Sequence, residues 1–207
     1  MKAPLIALSL TFIALNCYAA VTFNIGAADL RTAGGASLAP QSGLVILVAS
    51  TLDGSFAGIT AGSTLATNGF INGGDDLILA RWALGASSAT DGSFSDSANN
   101  LNFSGNWDTG DALALLWFPT LTTASSSASA GNTYGLFSGP PLDGSAAWTT
   151  PASGTFSLFF FTNSQGGSHL NTLGYANNTV AAVPEPSRAL LLLFGLGLSV
   201  LRRRRKA

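Results

Sequence analysis

The run ALALLWF, residues 112–118, can be read in two ways. Seven consecutive apolar residues suit a short strand, and they suit a short buried helix as well, because periodicity alone does not separate the two. Working outward, the chain repeats the pattern in LVILVAS (44–50), DLILARWAL (76–84) and TFSLFFFT (155–162), each bounded by Gly, Asn, Asp or Pro. VTFNI (21–25) and TYGLF (133–137) read as half-buried strands. Leucine content keeps the helical reading of 112–118 open, but no long stretch of 3.6-residue periodicity with caps occurs anywhere between the ends. The predicted fold class is therefore all-β: a single β-sandwich or jelly-roll domain over residues 20–182.

Turn chemistry supports that reading. Asp-Gly-Ser occurs at Asp53-Gly54-Ser55, Asp91-Gly92-Ser93 and Asp143-Gly144-Ser145, at unequal spacings of 38 and 52 residues, which argues for separate turns and against a solenoid. The tract TTASSSASAGN, 122–132, reads as a flexible surface loop.

Both ends of the chain depart from the middle. Met1-Lys2, the apolar stretch 3–15 and the small residues near Ala19 form a secretory signal peptide over residues 1–19, cut by signal peptidase after Ala19. A rival reading, in which Cys17 is a lipidated first residue, meets Asn16 where a small residue is wanted. Removal of the signal takes the single cysteine with it, so the exported chain has no disulfide and no thiol. At the other end, the apolar run 189–201 covers about 20 Å as a helix against a hydrocarbon core of about 30 Å. The basic cluster Arg202, Arg203, Arg204, Arg205 and Lys206 can reach the headgroups and extend that span. The positive-inside rule leaves the cluster cytoplasmic and everything before it outside. The expectation is a short C-terminal transmembrane helix that anchors the precursor.

Val183, Pro184, Glu185, Pro186 and Ser187 precede that run. The two prolines fix two φ angles, remove two backbone donors and bias their neighbours toward extended backbone, which keeps the peptide non-helical. The order of this motif, the apolar run and the terminal arginine cluster over residues 183–207 resembles the PEP-CTERM sorting signal of Gram-negative bacteria. The resemblance implies recognition by an exosortase, a membrane transpeptidase-like enzyme of species that make extracellular polysaccharide. It implies nothing about the fold of residues 20–182.

Charge narrows the partners. The whole chain has a formal net charge of −1, but residues 20–182 hold only Arg31 and Arg81 against nine aspartates, a net of −7 without a lysine. Such a surface repels phosphate backbones, so no nucleic-acid partner is expected. Calcium is a candidate ligand for the acidic turns, with Asp91 and Asp96, Asp108 and Asp111, and the pair Asp75-Asp76 as oxygen donors, although none fits an EF-hand loop. The bland alternative is that these aspartates simply form turns. Among four tryptophans, Trp82 and Trp117 lie inside apolar runs, whereas Trp107 and Trp148 have polar neighbours and are candidates for stacking on a glycan, with packing as the favoured alternative.

No catalytic constellation emerges. His169 is the only histidine, there is no Gly-x-Ser-x-Gly elbow, and one His without Cys falls short of the usual ligand sets for zinc within one chain. The expectation is a non-enzymatic, exported envelope or extracellular-matrix protein, sorted through its tail, with a structural or interaction role beside exopolysaccharide in a biofilm. A glycan-binding or calcium-dependent adhesion module is the alternative.

Overall fold

A computed structural model describes residues 20–27, 30–39, 42–84, 92–103, 105–138, 148–160 and 174–183. Eight strands lie along these residues: β1 (Ala20–Ala27), β2 (Leu44–Ser50), β3 (Asp76–Ala83), β4 (Phe94–Asn102), β5 (Ala112–Phe118), β6 (Thr133–Phe137), β7 (Gly154–Phe160) and β8 (Asn178–Thr179). They form a three-stranded sheet in the order β4-β1-β7 and a five-stranded sheet in the order β3-β2-β5-β6-β8. The chain is all-β among the described residues, with one short 3-10 turn at Ile71–Gly73.

The unbroken apolar run of β5 now has its explanation. Successive side chains of a strand point to opposite faces. Leu113, Leu115 and Trp117 join Val45, Leu47 and Ala49 of β2 and Val21, Phe23 and Ile25 of β1 in a core between the two sheets. Leu116 and Phe118 join Leu44, Ile46 and Val48 on the other face, under a layer of loops that contributes Ile59, Leu65, Ile71, Ala128 and Val180. The five-stranded sheet is thus a middle layer, and its central strands must be apolar on both sides. Helix is excluded at 112–118 by the ladder itself: Leu44 to Ser50 pair antiparallel with Phe118 to Ala112 without a slip.

β4 and β8 escaped the sequence pattern. β4, FSDSANNLN, is rich in Ser, Asn and Asp, which strands disfavour. It holds its place because Phe94 and Ala98 reach the core, and its register shifts opposite Val21/Phe23, near Asn100 at φ 54°. The tract 122–132 is pinned rather than free: Leu65 N–H donates to Ser126 O, Gly62 N–H to Ala128 O, and the Arg81 guanidinium donates to the carbonyls of Thr123 and Ser125. β1 and β7 run parallel, whereas a jelly-roll is built from antiparallel pairs.

Candidate functional site

The place where the chain leaves the fold is built by β8 and the residues after it. β8 is only two residues long, pairing Asn178 with Tyr134 and Thr179 with Thr133. The next two residues are held on both sides. Val180 N–H donates to Asn132 O at 2.9 Å and Gly131 N–H donates to Val180 O at 3.1 Å, while Ala181 N–H donates to Ile59 O at 2.9 Å and Ala61 N–H donates to Ala181 O at 2.8 Å. Val180 is buried in the outer core, so the clamp is also hydrophobic. Two residues after Ala181, Val183, the first residue of the proline motif, is 55% exposed.

The loop gripping Ala181 is itself stapled. Asn72, at φ 56°, accepts at Oδ1 from Thr60 N–H (3.0 Å), from the Thr60 hydroxyl (2.8 Å) and from the Ser63 hydroxyl. Its Nδ2 donates to Gly58 O at 2.7 Å. The left-handed conformation that asparagine tolerates turns this side chain back onto the loop. Tyr134 completes the arrangement, its hydroxyl accepting from the buried Ile59 N–H at 3.2 Å. No charged residue occurs in 58–64, 126–132 or 178–183, the three segments that make the exit.

Aspartates gather elsewhere. The Ser50 hydroxyl lies 3.2 Å from Asp53 Oδ1 and 3.3 Å from Asp75 Oδ2, and Ser55 N–H donates to Asp53 Oδ1 at 2.8 Å, closing the expected Asp-Gly-Ser turn with Gly54 at φ 71°. These bonds hold the Asp53 carboxyl below its usual range. Asp76 is 3% exposed; Oδ2 accepts from Ala57 N–H, and Oδ1 has no hydrogen-bond partner among the described residues. Burial, with Asp75 and Asp53 close by, pushes its pKa up to about 6.

The other candidates fall out as follows. Trp107 and Trp148 are corrected as glycan contacts, because both are buried and neither offers a ring face to solvent. Trp107 Nε1 donates to the Thr150 hydroxyl at 2.9 Å and its ring packs on Phe103, while Trp148 meets Phe137 edge-on. Asp111 accepts from Asp108 N–H at 2.8 Å and thereby closes a turn. Asp96 sits on β4, not in a loop, beside an open depression of about 420 Å³ lined also by Asn24, Ser95, Ser97 and Phe159. Among the described residues no three of His, Cys, Asp and Glu gather as metal ligands. Asp91, His169, Cys17, Ala19, Pro184 to Ser187 and Arg202 to Lys206 lie outside the described residues.

The exit clamp ends where a recognisable tail begins. Residues 182–206 match the PEP-CTERM protein-sorting motif. This tail marks an exported protein that passes through a membrane-anchored stage and is processed by an exosortase. No curated protein and no solved structure matches the chain. No helix among the described residues is long and apolar enough to cross a membrane, and the apolar run 189–201 lies outside them. Sequence reasoning found the tail but missed the clamp, whose only local signal is a lone apolar Val180 among small residues.

Proposed function

We propose that the chain is a non-catalytic protein of the cell envelope or extracellular matrix, delivered through its PEP-CTERM tail and serving a structural or interaction role beside exopolysaccharide in a biofilm. The observation that carries this reading is the sorting motif at 182–206, which starts directly after a backbone held on both edges at Val180 and Ala181. Such an arrangement fixes where the motif begins and leaves its first residue, Val183, exposed, which suits a segment that an enzyme must reach. The net charge of −7 over residues 20–182 suits a solvated matrix component that does not adhere to anionic lipid or nucleic acid. Signal peptidase would act first, at Ala19, and Ala20 already belongs to β1, so trimming would free the strand at its first residue.

The test is a pulse-chase in a host with and without its exosortase. With the enzyme, a membrane-bound precursor converts to a smaller species that leaves the inner membrane and co-purifies with the polysaccharide fraction. Identical size and location in both hosts would overturn the sorting role, and a processed protein that never associates with polysaccharide would overturn the matrix role alone.

A further inference from the structure

The three-stranded sheet turns Phe23 and Ile25 of β1 and Leu158 of β7 into the core, so by alternation Thr22, Asn24, Ser157 and Phe159 stand on its outer face. β4 adds Ser97 opposite Asn24 and Ser95 opposite Gly26. Ser95, Ser157 and Phe159 are exposed, and Thr22, Asn24 and Ser97 are half-buried. The depression of about 420 Å³ beside Asp96 opens on this face.

Its polar groups are oriented by one another. The Ser97 hydroxyl donates to Asn24 Oδ1 at 2.9 Å, which leaves both Nδ2 protons of Asn24 in the wall of the depression, without a partner among the described residues. Phe159 is 47% exposed, and one edge of its ring takes the space that a Cβ on Gly26 would need, 2.9 Å from Cδ1 and 3.2 Å from Cε1. Asp96 is the one charged residue on the three strands. Arg31 and Arg81, the two cations of residues 20–182, lie on other segments.

A ligand for such a face must satisfy an amide and several hydroxyls and also cover an aromatic ring. An apolar protein surface would bury Asn24 and Ser97 without giving them new partners. An anionic polymer would meet Asp96 and a net charge of −7 with no cation on these strands to receive it. A sugar meets both demands, because its hydroxyls donate and accept while the C–H face of its ring stacks on an aromatic side chain.

We propose that the outer face of β4-β1-β7 binds a neutral polysaccharide, with Phe159 as the stacking ring and Asn24, held by Ser97, as the hydrogen-bond donor. The proposal deepens the matrix reading above and rests on it. The full chain in non-ionic detergent is run through native gels containing the neutral or the anionic fraction of the host's exopolysaccharide, separated by anion exchange. The neutral fraction retards the parent, and Phe159→Ala and Asn24→Ala each weaken the apparent affinity about fivefold with unchanged melting temperature. Leu52→Ala, which removes an exposed apolar side chain after β2, leaves the retardation intact. Retardation that survives both substitutions on the sheet overturns this site and leaves the matrix reading standing. Retardation by the anionic fraction alone overturns the proposal, as does a parent that neither fraction retards; co-purification with polysaccharide in the pulse-chase then decides the matrix reading separately. A concentration-dependent mobility in gels without polysaccharide, removed by Phe159→Ala, marks the face as a contact for a second copy and also overturns the proposal.

Discussion

A methyl group on Gly135 would stand 1.9 Å from Trp117 Cζ2 and 2.0 Å from Cε2, so the indole lies across bare backbone. The two residues are direct partners in the β5-β6 ladder, and Trp117 is wholly buried. Gly135→Ala therefore costs about 2–3 kcal/mol or more through overpacking, read as a lower midpoint in denaturant with an unchanged slope. Asp76 acts in the opposite sense. Its folded pKa of about 6 lies above the ordinary 3.8, so the folded state binds the proton more tightly between those values. The corresponding stability is present below pH 4 and lost as pH rises through 6. Asp76→Asn keeps an oxygen for the Ala57 N–H and removes the buried charge; the variant is more stable than the parent at pH 7 by about 2 kcal/mol, and the gain vanishes at pH 4. Equal melting temperatures at pH 7 would contradict that cause. Asp53, held below its usual range, contributes stability that is lost as the solution becomes more acid, so acid melts of Asp76→Asn retain that limb. Neither residue was legible beforehand: TYGLF does not reveal which side chain lies over Gly135, and Asp75-Asp76 reads as a turn or as oxygen donors for calcium until one carboxyl is seen to be buried.

At the level of elements, the runs 44–50, 112–118 and 133–137 were legible because burial on the five-stranded sheet leaves a dense apolar signal. β4 and β8 were not. β4 is an edge strand with only Phe94 and Ala98 buried and polar Asp96 between them opposite buried Ile25, and β8 pairs through only two exposed residues, so neither leaves a clear apolar alternation. The clamp following β8 depends on a loop with its own polar supports, and Tyr134 is one of them. Tyr134→Phe keeps the ring against Phe118 at a 5.6 Å centroid distance but leaves the buried Ile59 N–H without its acceptor. The expected cost is about 1–2 kcal/mol. Hydrogen exchange should rise first at Ile59, Ala61 and Ala181, before the β2-β5 ladder loosens; uniform acceleration across both sheets would show that the loop is not a separable unit.

On the scale of the whole molecule, the ends and the middle carry different information. The tail's three-part order is an address written in sequence, readable without any fold, and residues 182–206 match that address. The domain's role is written in no comparable motif, and burial of Trp107 and Trp148 removes the two aromatics that pointed most directly to a ligand. What the fold adds is position: Ala181 is gripped, Val183 is exposed, and the processing motif starts within two residues of ordered backbone. The most direct test of this account is intact-mass and peptide mass spectrometry of the protein recovered from the envelope and extracellular fractions of its host. The mature chain is expected to end at or near the proline motif, lacking 189–207, or to carry there the mass of a covalently transferred group. A product that retains Arg202 to Ala207 in a host with active exosortase would contradict it.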